Sequence, residues 1–322
     1  MRKALLVGIN EYPQIPLKGC INDVNAVEQA ISKNEDQSPN FEIRKELNIQ
    51  TKAELRQAIE LCFKGASDIA LFYYSGHGFL DTVGGYLVTP DFSQGDYGVS
   101  MNDILSFANE SPARNKVIIL DCCCSGNMGS ISTAGQNTAM ISDGVTILTS
   151  CKSDENASEL DGHGIFTSLL VEALNGGAAD LLGNITLGGI YAFIDKSLGA
   201  WDQRPVFKTN ITSFTPIKKV NPPVSLETLR VIRKLFDKPD AIYKLNPSYE
   251  PTNSPDVEHI VLEPYADESN VKTFKNLQKL ESVGIVVPDG SPHMYFAAMK
   301  SLGCRLTTTG KYYWSLIDKN RI

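Results

Sequence analysis

The chain has 322 residues, enough to bury a full core and to divide into two domains. Hydrophobic residues make up 42% and charged residues 21%, the balance of an ordinary water-exposed globular protein. The formal charge of −7 and the lack of a dense basic stretch argue against nucleic acid as a partner.

The first ten residues, Met1 to Asn10, are apolar over too short a distance for a signal peptide or a membrane span. They predict a first buried strand over Ala4–Ile9. A helix follows over Asn22–Ser32, with Val24, Val27 and Ile31 on one face. Phe41–Leu47 alternates like a short strand. Thr51 to Glu54 form a capping box before a helix through Phe63. Ile69–Tyr73 and Val117–Leu120 are continuous apolar runs that read as buried strands, with Tyr86–Val88 and a helix over Asn102–Ala108 between them. Val145–Ser150 is a further strand, and Phe166–Leu174 and Leu187–Leu198 are helices. Strands alternating with helices predict a mostly parallel sheet covered on both faces. Residues 127–144 are small and polar, and read as a flexible loop.

Asn221-Pro222-Pro223 interrupts this pattern and predicts a linker. The expected domains are 1–220 and 221–322. The first carries a charge of roughly −8 and the second roughly +1. The second is rich in helix signals, at Ser225–Leu235, Val271–Val283 and Tyr312–Ile317. Leu277–Gly284, Ile285–Val287 and Leu306–Gly310 give it a winged-helix likeness. Near-neutral charge favours a protein partner over DNA there.

The seven cysteines are odd in number and fit no disulfide or zinc spacing, which together with the apolar start predicts reduced thiols in a cytoplasm. Chemistry concentrates in two strings, each directly after a buried strand. Tyr74-Ser75-Gly76-His77-Gly78 delivers a histidine between glycines, which bring backbone N–H groups close to a ligand. Asp121-Cys122-Cys123-Cys124-Ser125-Gly126 delivers a thiol beside a carboxylate. In open α/β sheets, sites form outside the carboxyl ends of strands. Alternation along the chain sets Cys123 apart from Cys122 and Cys124, so Cys123 is the candidate nucleophile and its neighbours are packing residues. Three adjacent thiols cannot wrap a tetrahedral metal ion. His77 is the candidate proton carrier. His163, in Asp161-Gly162-His163-Gly164, is a rival base ranked below it because it lies past the last apolar strand. The glycine pairs at 84–85 and 188–189 match no phosphate loop.

Ser75-Gly76-His77-Gly78 with Asp121-x-Cys123-x-Ser125-Gly126 resembles the caspase-like peptidases of family C14, and within them the metacaspases and bacterial orthocaspases. Gly19-Cys20-Ile21-Asn22-Asp23-Val24, Thr149-Ser150-Cys151-Lys152, Gly164-Ile165-Phe166-Thr167 and Gln203-Arg204-Pro205 resemble further landmarks in the same order. The resemblance spans residues 1 to 219. It implies a caspase-hemoglobinase type α/β sandwich, followed here by the small, mainly helical C-terminal module. It also implies a cysteine endopeptidase with a Cys123–His77 dyad. Backbone N–H groups of Gly78 and Cys123 would hold the oxyanion. Asp23 and Asp121, with Cys20 and Ser75, would line the pocket for the residue on the acyl side of the scissile bond (P1). Two carboxylates in one pocket repel unless a cation lies between them, so Arg, and next Lys, is the expected P1 residue.

Members of the family often bind calcium through acids near the active site. Here Asn102-Asp103 and Ser130 stand at such positions, with Asp91 and Asp96 as substitutes. The set is depleted, and no cofactor is expected. Residues 127–151 contain no Lys or Arg, so an enzyme specific for basic residues should not cut itself there; Lys152 is the first basic residue after that stretch. The expected partners are protein substrates with a basic P1 residue and a regulatory protein bound through 221–322, with no membrane. An interaction scaffold acting through the C-terminal module is the competing reading, and a cysteine transpeptidase or ligase is a third. Bacterial proteins of this architecture often serve stress or defence systems, an analogy of family and not of residues.

Overall fold

A computed structural model describes residues 1–82, 84–122, 141–150, 163–199, 204–211, 214–252, 258–260, 262 and 266–322, and the backbone alone of 130–133, 136–139 and 159–160. The chain divides into two compact units, Met1–Asn221 and Pro222–Ile322.

In the first unit the elements run β1 (Arg2–Gly8), α1 (Cys20–Ser32), β2 (Glu42–Leu47), α2 (Lys52–Phe63), β3 (Ile69–Ser75), β4 (Gly78–Leu80), β5 (Gly85–Ser93), β6 (Asp96–Ser100), α3 (Met101–Glu110) and β7 (Asn115–Asp121). They continue through β8 (Ser130–Thr133), β9 (Gln136–Ala139), β10 (Val145–Thr149), β11 (Glu159–Leu160), β12 (His163–Gly164), α4 (Ile165–Glu172), β13 (Asn184–Ile185), α5 (Leu187–Ser197), β14 (Val206–Asn210) and β15 (Lys218–Lys219).

Six strands form the central sheet in the order β14-β10-β7-β3-β1-β2. All neighbours are parallel except β14, which runs antiparallel on β10. β3 over Ile69–Tyr74 and β7 over Val117–Leu120 are continuously apolar because both of their faces are covered, as central parallel strands require. β2 alternates and carries Glu42, Arg44, Lys45 and Glu46, which suits a sheet edge.

Two cores follow from the period of two along each strand. Phe72, Tyr74, Ile118, Leu120 and Cys122 face one side, with α2, α3 and the small antiparallel β4-β5-β6 sheet. Leu71, Tyr73, Val117 and Ile119 face the other, with α1, α4 and α5. Helix α2 begins where expected: Thr51 Oγ1 accepts from Glu54 N–H, and the Glu54 carboxylate accepts from Thr51 N–H.

Three features depart from the sequence expectation. The antiparallel edge strand β14 went unread, because Val206–Asn210 is short and half polar. Tyr86–Val88 is the middle of a longer strand, whose register against β6 shifts between Val88 and Ser93 around Pro90. Within the expected loop 127–144, Ser130–Thr133 pairs antiparallel with Gln136–Ala139.

The second unit holds α6 (Leu226–Leu235), β16 (Ile242–Lys244), a short 3-10 turn at Pro247–Tyr249, α7 (Glu268–Ser282), β17 (Val286–Asp289), α8 (Met294–Met299), β18 (Gly303–Leu306) and α9 (Thr308–Asp318). Its antiparallel sheet has the order β16-β18-β17. β17 and β18 are joined through α8, not by the tight turn of a wing hairpin. Phe236, Phe274, Leu277, Leu280 and Leu306 are buried in this unit. Among the described residues, no helix is long and apolar enough to cross a membrane.

Candidate active site

His77 stands just beyond the carboxyl end of β3, and its main chain is fixed from three sides. Its N–H donates to the Tyr12 hydroxyl (3.0 Å). Its carbonyl accepts from the Tyr74 hydroxyl (3.0 Å) and from Val88 N–H (2.9 Å). The two phenols crowd the chain so closely that Gly76 has no room for a side chain: a Cβ there would lie 2.5 Å from the Tyr74 hydroxyl and 2.7 Å from that of Tyr12. Burial pushes the Tyr12 and Tyr74 hydroxyls well above their ordinary range, so both stay protonated, Tyr12 accepting from His77 N–H and Tyr74 donating to its carbonyl.

The His77 ring packs edge-on against Tyr12, with centroids 4.5 Å apart. Its Nε2 lies 2.7 Å from the Ile15 carbonyl oxygen. A carbonyl only accepts, so Nε2 carries the proton and Nδ1 is left as the acceptor. The sequence reading missed Tyr12 and Ile15; the signal was the Tyr-Pro-x-Ile-Pro turn directly after β1.

The candidate pocket acids lie on the α1 side of the sheet. Asp23 sits in the first turn of α1 and Asp121 at the end of β7, only 2% and 6% exposed. Asp23 accepts from Ser75 Oγ (2.9 Å), His163 Nδ1 (3.0 Å) and Gly164 N–H (3.2 Å). Asp121 accepts from Thr167 Oγ1 at 2.7 Å, and Ser150 adds a further side-chain hydrogen bond. Since Thr167 spends its proton on Asp121, the Tyr73 hydroxyl donates to Thr167 Oγ1 (2.6 Å).

Gly164 lies between the acids. A Cβ there would come within 2.3 Å of Asp121 Oδ2 and 3.4 Å of Asp23 Oδ2. Burial pushes Asp121 up to about 6, and the Asp23 charge adds to this. Asp23 is also raised by burial, against the lowering pull of Ser75, His163 and Gly164. Two buried carboxyls thus face each other across Gly164, and the His163 ring is hydrogen-bonded to one of them.

The structure therefore brings Asp23, Asp121 and Ser75 together around Gly164. His163, ranked earlier as a rival base, is a hydrogen-bond partner of Asp23, and Thr167, quoted in the sequence reading only as a landmark, donates to Asp121. Cys20, buried on the first turn of α1, packs against Gly8 at the end of β1. Gly78 opens β4 opposite Leu87. Cys122 is buried in the core, while Cys123, Cys124 and Lys152 lie outside the described residues.

The acids considered for calcium each have a protein partner. Asp91 accepts from Lys52 N–H and Thr89 Oγ1, Asp96 pairs with Lys52 Nζ, and Asp103 pairs with Arg56. Among the described residues, no three His, Cys, Asp or Glu side chains are gathered in a metal-binding arrangement.

The class follows from comparison with known proteins. The caspase-domain profile matches residues 1–215, two-thirds of the chain, and the chain belongs to this family of cysteine peptidases. It is 40% identical over 85 residues to Metacaspase-1 of Candida albicans and 38% identical over 89 residues to Metacaspase-9 of Arabidopsis thaliana. These stretches cover 24% of this chain, and 19% and 27% of the two relatives. Caspase-1 from Spodoptera frugiperda superposes with a TM-score of 0.51 at 14% identity, over 68% of this chain and 90% of that one. Protein GSU0716 from Geobacter sulfurreducens gives 0.51 at 18% identity, over 68% of this chain and 100% of that one. Both establish the caspase-like α/β fold of the first unit.

Proposed function

We propose that this chain is a cysteine endopeptidase that cleaves proteins after Arg and, next, Lys, using Cys123 and His77. The observation that carries the specificity is the convergence of Asp23 and Asp121 on Gly164, at the strand ends that also carry His77 and Cys122. A guanidinium offers the fork of donors that two carboxylates can share, and would displace His163 from Asp23.

In the reaction, Cys123 Sγ attacks the scissile carbonyl carbon. The thiol proton passes to His77 Nδ1 and from there to the leaving amine nitrogen. The N–H groups of Gly78 and Cys123 hold the carbonyl oxygen as it gains charge. Water then attacks the thioester, and Cys123 recovers its proton. Tyr12 and the Ile15 carbonyl act as positioning groups, because they fix the ring and its tautomer. Residues 221–322 regulate the enzyme by binding a protein partner. No cofactor is assigned a step in this reading, and activity with and without added calcium tests that.

The test compares the protein with its Cys123→Ala variant on peptides varied at P1. Turnover confined to Arg and Lys peptides, and lost in the variant, is expected. Equal turnover in both proteins, or a preference for acidic P1, overturns the proposal.

A further inference from the structure

A cavity of about 240 Å³ opens beside His77, on the face of the sheet opposite the acidic hole. Tyr12, Ile15, Phe79, Val88, Phe92 and Tyr97 line it together with His77 and Gly78. None of these carries a formal charge apart from a protonated His77. Phe79 and Tyr97 form an aromatic wall, with centroids 4.3 Å apart. Two large apolar side chains stand at its mouth without cover, Ile15 at 65% and Phe79 at 39% exposure. Exposed apolar side chains around a concave surface mark a binding site more often than a random surface feature.

The order of elements gives this cavity a place in the reaction. Asp23 and Asp121 point to the α1/α4 face, through Gly164 and Thr167. Tyr12 and Val88 belong to the core on the other face. His77 lies between, and its ring is itself part of the cavity wall. If the acidic hole takes the residue before the scissile bond, the peptide continues past His77, which protonates the leaving amine. The next side chain then emerges beside Ile15 and Phe79.

We infer that the cavity is the subsite for the residue on the leaving-amine side of the scissile bond, and that it selects a large apolar side chain such as Leu or Phe. The inference rests on the peptidase reading above and deepens it. The enzyme then reads two residues of opposite character across one bond, a cation before it and an apolar group after it. A charged residue after the bond would lose its hydration against aromatic walls with no counter-ion.

Internally quenched peptides with Arg before the bond and Leu, Phe, Gly, Asp or Lys after it test this. Leu and Phe should exceed Gly in kcat/KM by about tenfold or more, with Asp and Lys below Gly. Phe79→Ser, at an exposed position, should shrink the Leu-to-Gly ratio several-fold. Equal rates for all five peptides in the unmodified protein overturn the inference while leaving the peptidase reading intact. Equal rates together with self-association that Phe79→Ser abolishes would assign the cavity to a second copy of the chain. No cleavage of any Arg peptide overturns the peptidase reading, and this inference with it.

Discussion

On the proposed reading, the single buried carboxyl of Asp121 bears on both recognition and stability. Burial raises it to about 6, so its negative charge develops only as pH climbs through that value. Binding of a guanidinium ligand to the Cys123→Ala protein, followed by calorimetry, should weaken as pH falls from 7 to 5, and Asp121→Asn should flatten this dependence. The sign for folding is opposite. A carboxyl raised in the native state stabilises it most below the unfolded value, and that contribution is lost as pH rises through about 6. The difference in Tm between pH 5 and pH 7 should therefore shrink in Asp121→Asn. On the proposed reading Asp23 is the second carboxylate for the guanidinium, which would replace its present partners Ser75, His163 and Gly164. Asp23→Asn should cost about 2 kcal/mol or more of transition-state binding, roughly thirtyfold in kcat/KM for Arg peptides. Gly164→Ala places a methyl 2.3 Å from Asp121 Oδ2, and a loss of about 1–3 kcal/mol by chemical denaturation is expected. That glycine was visible in the sequence only as part of a motif; its reason, room between two acids, needed the third dimension.

Elements were legible where one force dominated. β3 and β7 are built on the continuous apolar runs Ile69–Tyr74 and Val117–Leu120, so their strand ends and the residues just beyond them could be located from the sequence. Helix α2 announced itself by Thr51 and Glu54, and Thr51→Ala should cost about 1 kcal/mol of stability without changing peptide turnover, since α2 carries none of the site. Elements were illegible where pairing, not composition, decides. β14 is held by the edge of β10, and β5 keeps its ladder with β6 past Pro90 only by shifting register. The Ser130–Ala139 ladder is written in residues equally at home in a loop. The same stretch has a chemical consequence, because 127–151 offers no basic residue. Intact-mass analysis of the active enzyme should find that segment uncut.

At the scale of the molecule, Asp23, Asp121 and Ser75 were assigned to one pocket through the family resemblance, while the contacts of His163 and Thr167 with the two acids were not read. Both acids stand at element ends, which sequence marks, whereas Thr167 and His163 reach them from a segment more than a hundred residues away from Asp23. The division at Asn221 was marked by two prolines and a shift in charge, and each side of it has its own buried apolar cluster. The core residues around the central sheet all belong to Met1–Asn221, while Phe236, Phe274, Leu277 and Leu280 are buried in Pro222–Ile322. Two independent cores imply two cooperative units. Residues 222–322 produced alone should therefore unfold in a single cooperative transition, and, on the proposed reading, residues 1–221 should keep turnover on short Arg peptides, with a changed rate counting for a regulatory role of the second unit. A first unit that precipitates or fails to fold without the second, in otherwise identical buffer, would mean that the cores depend on one another and that the C-terminal unit is structural, not regulatory.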